Sequence, residues 1–520
     1  MRKTCFIAIF TYLSMAVSAQ VQTPLSLTDG LRYQVSAEVS ATSGEHTPLW
    51  LNANKYGLSS LDKTNGYLRG AVERPLQQDS LRRWGVGYGL DMAVAYHYTS
   101  TVVVQQAFAE LRWLKGTLTV GSKEQPMELK NNQLSSGSQT LGINARPVPQ
   151  LRLALPDYWV VPGVNEWVAI KGHVAYGMTS DSRWQRDFTQ GASKYTKNAL
   201  LHTKAGYLRL GPKNITMELG LEMATQFGGQ SWSNHGTDEW RWLDNGSGLK
   251  DFIYAFVPGA GAEVVEDQYK NSAGNHLGSW GGRLNLDYER WNLGIYGEHF
   301  YEDQSTMYFL GYNGYGTGDK WNVRDKGAVF VYNFKDMLVG TELTLKRVPW
   351  LRSVLLEYLY TKYQGGPVYH DHSPNSNIQI TGRDEFYNHY IFTGWQHWGQ
   401  VMGNPLYRSP IYNDNQTIEI LNNRFVAWHL GVSGEPAAGL TYRLLATWQR
   451  GYGTYKHLFP DPKEIVSLMA EATYRFSDAS PLSGWQLRGA VGVDCGGIYG
   501  NNTGMQLTVM KKGLINSKKK

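Results

Sequence analysis

The most restrictive feature of this chain is a period-two alternation whose second face carries charge. From Thr216 to Phe227, Met217, Leu219, Leu221 and Met223 fall on one side, and Glu218, Gly220, Glu222 and Ala224 on the other. From Gly87 to Tyr98, Tyr88, Leu90, Met92, Val94, Tyr96 and Tyr98 oppose a face holding Asp91 and His97. Arg283–Tyr288, Leu440–Gln449, Val466–Phe476, Trp485–Asp494 and Met505–Val509 repeat the pattern, with Leu445 out of phase in its segment. Successive strand side chains point to opposite faces, so these segments read as strands with one apolar and one polar face. A soluble sandwich also alternates. Here, however, strands begin or finish on aromatics: Tyr33, Tyr88, Tyr96, Tyr98, Trp113, Trp291, Tyr474, Phe476 and Trp485. Such rings gather at the two faces of a bilayer, and a barrel that spans one has an apolar outside and a polar lumen. The pattern predicts an all-β fold, a large transmembrane antiparallel β-barrel.

Composition narrows this further. The mean hydropathy of −0.40 excludes a bundle of membrane helices. No run after residue 19 approaches the roughly 18 apolar residues a spanning helix needs. Tyr (33) and Trp (18) together far exceed Phe (16), as an oil–water boundary or a sugar surface favours. At the start, Arg2 and Lys3 precede an apolar stretch from Cys5 to Val17, then Val17-Ser18-Ala19 before Gln20. This has the form of a secretory signal peptide over residues 1–19, cut near Ala19–Gln20. The formal charge of +6 belongs to the ends: without Arg2, Lys3, Lys511, Lys512, Lys518, Lys519 and Lys520, 43 bases face 44 acids. No basic excess remains for nucleic acid. Cys5 leaves with the signal, so Cys495 has no disulfide partner within the chain, and a closed sheet must supply rigidity. The expected organisation is a signal peptide followed by one barrel domain over residues 20–520.

Eighteen strands of about ten residues would use only about a third of the mature chain. Loops and plug elements take the remainder, chiefly Lys123–Tyr158, Asn234–His276 and Gly365–Asn423. Within the second, Ser247 is placed to cap a short helix through Phe256, ended by Pro258-Gly259. Gly85-Val86-Gly87-Tyr88-Gly89 puts three glycines on one strand face, which suits close packing inside a barrel.

Several segments resemble the Wzi family of outer-membrane capsule-assembly proteins. They are Thr47-Pro48-Leu49-Trp50-Leu51-Asn52-Ala53-Asn54-Lys55-Tyr56-Gly57, Gly121-Ser122-Lys123-Glu124 and Leu134-Ser135-Ser136-Gly137-Ser138. Next come Asn144-Ala145-Arg146-Pro147-Val148-Pro149-Gln150 and Glu298-His299-Phe300-Tyr301-Glu302-Asp303. Gly394-Trp395-Gln396-His397-Trp398-Gly399, Gly403-Asn404-Pro405-Leu406 and Asn422-Asn423-Arg424 complete the series, which runs in order along nearly the whole mature chain. The resemblance implies an eighteen-stranded barrel blocked by helices and folded loops. It also implies a surface lectin that holds capsular polysaccharide to a Gram-negative cell, with no enzymatic activity. The lysine-rich end departs from the aromatic residue on which many such barrels finish.

Catalytic signatures are sparse: there is no G-x-S-x-G, H-E-x-x-H or Walker loop and no cysteine pair. No catalytic residue, metal or cofactor is expected. His370-Asp371-His372 offers two imidazoles but no third ligand and reads as a solvated loop. Glu298 with Glu302 or Asp303 has the composition of a glycosidase pair, but lumens commonly carry charged rings. Asn144 and Arg146, before Pro147 and Pro149, read as an anchor in the lumen. The better binding stretch runs from Tyr387 to Arg424, where Tyr387, His389, Trp395, His397, Trp398, Arg408 and Arg424 are the expected polysaccharide contacts. Sugar C–H faces stack on Trp and Tyr rings, while His and Arg bond hydroxyls and carboxylates. The expected partners are capsular or surface polysaccharide, outer-membrane lipid and capsule export machinery. The alternatives are an oligosaccharide porin and a polysaccharide hydrolase.

Overall fold

The computed structural model describes residues 26–164, 166–234, 239–257, 263–265, 268–270, 274–302, 319, 336–364 and 384–515. The signal segment, Asp303, His370-Asp371-His372 and Lys518–Lys520 lie outside these residues. Eighteen strands make one sheet. They are β1 Arg32–Ser43, β2 Thr64–Arg74, β3 Trp84–Tyr96, β4 Val102–Trp113, β5 Gly116–Ser122 and β6 Gln150–Val160. Next come β7 Val168–Met178, β8 Leu200–Leu210, β9 Ile215–Phe227, β10 Asn275–Asp287, β11 Trp291–Glu302 and β12 Met337–Leu345. The last six are β13 Ser353–Tyr360, β14 Phe425–Ala437, β15 Leu440–Gly453, β16 Leu458–Arg475, β17 Trp485–Gly496 and β18 Asn502–Leu514. Each pairs antiparallel with its neighbours in sequence. β1 pairs with β2 (Val39↔Gly66) and with β18 (Val39↔Leu507), so the sheet closes and has no edge.

The connections separate into two kinds. At the end holding Arg32 and Leu514 they are short, as at 114–115, 211–214, 288–290 and 438–439. The opposite end carries 44–63, 123–149, 179–199, 228–274 and 361–424. Outer-membrane barrels keep short turns in the periplasm and long loops outside, which makes the second end extracellular.

The alternation is observed as expected. On β1, Val35 and Val39 are exposed to the bilayer side while Ser36, Glu38 and Ser40 are buried inside. On β9, Met217 and Leu219 point out, and Glu222 points in. Trp84 and Trp113 stack at 5.9 Å on the short-turn end, where Tyr474 and Trp485 also lie. Tyr96 is exposed at the other end. The three alternate glycines of β3 face inward. A Cβ on Gly87 would sit 3.1 Å from Leu76 Cγ, and one on Gly89 would sit 2.6 Å from the Phe108 ring.

Three expectations are corrected. β6 starts at Gln150, so Gln150–Tyr158 belongs to the wall; Pro156 and a bulge between Leu155 and Trp159 disguise its alternation. Tyr98 does not continue the outward face of β3: the strand ends at Tyr96, His97 takes φ +59°, and the Tyr98 ring meets Tyr67 edge-on at 6.2 Å. The helix Leu249–Phe256 has Gly248, not Ser247, at its N-cap, with the Asp251 carboxylate accepting the Gly248 N–H at 2.8 Å.

The lumen is filled by three insertions from the extracellular end, 44–63, 123–149 and 384–423. Wall carboxylates hold them by their backbone N–H groups. Asp494 accepts from Leu49 (2.9 Å), Glu357 from Ser136 (2.8 Å) and Glu298 from Gln139 (2.9 Å). Glu222 accepts from Leu141 (3.1 Å) and Glu302 from Tyr387 (2.9 Å). Hydrogen bonds to a charged group contribute about 1.5–3 kcal/mol each, so the polar lumen is the plug's receptor. Leu445, the residue out of phase, points into the lumen and is buried in the same apolar cluster as Leu49, Trp50 and Leu51 of the first insertion. Trp50 donates to Thr447 two residues further along the same strand (3.0 Å).

Candidate functional site

The third insertion contains the stretch expected to bind sugar, and most of its side chains are turned inward. Tyr387 is fully buried: its hydroxyl donates to the Gln139 carbonyl, and its ring lies 4.1 Å from that of Tyr407. Trp395 is buried and donates from Nε1 to the Thr140 carbonyl at 2.9 Å. His397 is buried, with Nδ1 2.7 Å from the Arg146 carbonyl and Nε2 accepting the Ser180 N–H at 3.2 Å. Nδ1 is therefore the protonated nitrogen, and burial lowers the imidazole pKa. Arg408 donates to the Ile498 carbonyl at 3.2 Å and the Tyr412 carbonyl at 2.5 Å. Asn144 joins all three insertions, accepting from Asn54 N–H (3.0 Å) and donating to the Val401 carbonyl (3.0 Å). These groups wedge the plug, because long loops crossing a lumen must satisfy their own backbone.

Besides Arg408, three of the expected residues keep solvent-facing surface, in separate places. Trp398 adopts φ +55°, donates its N–H to Asp181 at 2.9 Å and lies under the Arg146 guanidinium at 4.2 Å. Arg424 stacks on Tyr455 at 3.9 Å. His389 accepts the Ile391 and Phe392 N–H groups at Nδ1, both at 3.1 Å, and stacks on Tyr390 at 4.4 Å.

His389 opens into a cleft of about 270 Å³ on the extracellular face. Its walls come from four distant segments and include Lys194, Trp240, Glu385, Tyr390, Glu419 and Lys456. Lys456 pairs with Glu385 at 2.8 Å, and the Lys194 ammonium donates to the His389 carbonyl. Burial pushes Lys194 down to about 8, against the pull of Glu419 and Glu385 and with Lys456 adding to the shift. Aromatic faces, two cations and two carboxylates around a small half-polar hollow can stack a sugar ring, donate to a carboxylate and accept from hydroxyls. The expected binding stretch supplies Asn388, His389 and Tyr390. Lys194, Trp240 and Lys456 come from other connections, and no local pattern joins them to that stretch. Among the described residues no cluster of three or more His, Cys, Asp or Glu is placed to hold a metal ion.

The glycosidase-like carboxylates are otherwise engaged. Glu298 is buried, contacts the Lys130 ammonium, and accepts from Ser138 (2.9 Å), Gln139 (2.9 Å) and Ser279 (2.8 Å).

Comparison with known proteins gives one family and a set of barrels. The family model described as "Capsule assembly protein Wzi" matches residues 17–318. The chain is similar to the solved structure of Pseudomonas aeruginosa OccK2 (OpdF) in complex with glucuronate (8% identity, 95% of this chain, 100% of that chain, TM-score 0.45). It is also similar to Pseudomonas aeruginosa OprD (10%, 94% and 95%, 0.43). Acinetobacter baumannii OccAB4 is a third (9%, 94% and 99%, 0.42). No curated protein matches.

Proposed function

The chain belongs to the Wzi family of capsule assembly proteins, and from that premise we propose that it holds capsular polysaccharide on the outer membrane by noncovalent recognition through its extracellular loops. The observation that carries the reading is the pairing of a filled lumen with a sugar-suited cleft at the extracellular end. A barrel closed by buried, charge-assisted contacts is built to present loops, not to pass solute. The contacts shift from the buried Tyr387, Trp395 and His397 to the cleft around His389, with Trp398 and Arg424 as outlying surfaces. A signal peptide over residues 1–19 and contact with capsule export machinery belong to the same proposal.

Deleting the gene is expected to release capsule into the medium while its synthesis continues. The ratio of cell-bound to free polysaccharide measures this, and an unchanged ratio sinks the proposal. New reducing ends on capsule incubated with purified protein would favour the hydrolase instead.

A second expectation concerns pH. The Lys194 charge is present below about pH 8 and lost above it, because its folded-state pKa lies under the ordinary 10.5. Binding of a uronate-containing oligosaccharide, followed by calorimetry, should weaken as pH rises through that value. The loss of one charge-assisted hydrogen bond is about 1.5–3 kcal/mol, tenfold or more. Lys194→Met should bind weakly at every pH. A flat profile for the unmodified protein would remove Lys194 from the site.

A further inference from the structure

The extracellular connection 228–274 sends one element down the outside of the barrel. The helix Leu249–Phe256 lies against the outward faces of β7, β8, β9 and β10, near their extracellular ends. Ala255 and Phe252 form its inner side: Phe252 meets Phe227 edge-on at 5.1 Å and Tyr176 at 5.2 Å. The wall opposite is unusually polar for an outward surface, with Lys204 and Thr225 beside His202 and His276. Helix carbonyls accept from three side chains of this wall. The Tyr176 hydroxyl donates to Phe252 at 3.0 Å, the Thr225 hydroxyl to Ala255 at 3.1 Å, and the Lys204 ammonium to Phe256 at the helix C-terminus. A cation at that end is also favoured by the helix dipole.

Among the described residues nothing covers the apolar outer side of the helix. Leu249 is 81% exposed, Ile253 54%, Phe256 41% and Val257 46%. Leu249 and Ile253 are four residues apart and share one face; the Phe256 ring lies at its edge, 5.4 Å from the His202 ring and under the Lys204 ammonium at 4.3 Å. On the same wall the outward side chains Met178, Leu219 and Trp280 are themselves exposed. Lys250 and Tyr254, on the flank, pair as cation and ring at 5.1 Å.

We propose that this helix is an outer-leaflet anchor, lying in the membrane interface with Leu249 and Ile253 among the acyl chains. The occupant is lipid because the apolar face continues the lipid-facing wall and offers a saccharide no donor or acceptor. An amphipathic helix in the interface buries its apolar side to the depth of the headgroup–acyl boundary. The wall polar groups would be costly at that depth, and the helix backbone covers them.

The test uses the full-length protein in phosphatidylcholine vesicles. Ile253→Cys in a Cys495→Ser background carries a bimane label, with Val39→Cys as the bilayer-facing control and Asn415→Cys as the solvent control. A nitroxide lipid labelled near the headgroup should quench the Ile253 position like Val39, and iodide should quench it roughly fivefold less than Asn415. Iodide quenching equal to that of Asn415 overturns the proposal. Quenching by neither reagent also overturns it, because protein would then cover the face. A Leu249→Asp/Ile253→Asp variant, verified as folded by its heat-modifiable gel mobility, should become cleavable by external protease in the 245–257 segment. A digestion pattern like that of the unmodified protein overturns the anchor independently of the label.

Discussion

Replacing residues 124–148 with a short Gly-Ser linker should convert a silent barrel into a conducting one. A barrel of about 16–18 strands is wide enough to hold an aqueous channel, so silence depends on what fills it. That segment holds Ser136, Gln139 and Leu141 against Glu357, Glu298 and Glu222. It also seats the 384–423 insertion, because Trp395 and Asn404 donate to the Thr140 and Gly137 carbonyls at 2.9 and 3.0 Å. Removing it loosens two plug elements together. In planar bilayers the unmodified protein should show no stable steps and the variant clear ones, with heat-modifiable gel mobility confirming that the variant barrel is closed. Stable steps from the unmodified protein would instead favour the porin alternative.

The second large effect is expected at Glu298. Lys130 and Glu298 are both buried and in direct contact. Glu298→Gln removes the carboxylate in direct contact with the buried ammonium, and breaking a buried pair from one side costs about 3–5 kcal/mol. Unfolding of the detergent-solubilised protein should report a loss of that size. The double variant Lys130→Met/Glu298→Gln should recover most of it, because the ammonium that lost its contact is then gone as well. A single variant as stable as the unmodified protein would show that the pair does not hold the plug. The same variant bears on the hydrolase alternative: any cleavage of capsule that survives Glu298→Gln does not use this carboxylate.

Much of the wall is legible in the sequence. Met217/Glu218 or Leu444/Arg443 state which side faces lipid without reference to any other strand, because side-chain direction along a strand is local. The ends of β9, β15 and β17 fall within a few residues of the alternation that announces them. β6 was harder to delimit, because Pro156 and its bulge interrupt the period. Leu445 looked like an error in a pattern and is instead a contact with the plug.

The site was less legible, and Tyr387, Trp395 and Trp398 show why. All three have the chemistry to stack on a sugar. Which of them is buried and which stays open depends on partners such as Gln139, Thr140 and Asp181, which lie over two hundred positions away in the chain. The sequence marks the helix Leu249–Phe256 to within a residue of its N-cap, yet its position outside the barrel follows from Lys204, Thr225 and Tyr176, which sit on other strands.

Local residue order is enough to specify an all-β chain with an apolar outside, a charged inside, aromatic boundaries and a family resemblance carried by the segments that fill the lumen. The tertiary structure alone decided which polar lumen groups bind plug backbone and which aromatic residues remain open at the extracellular face. The physical reason is range. Alternation is set by each residue and its neighbours. Lumen contacts join groups such as Lys130 and Glu298, separated by 168 positions, whose pairing exists only once the sheet has closed.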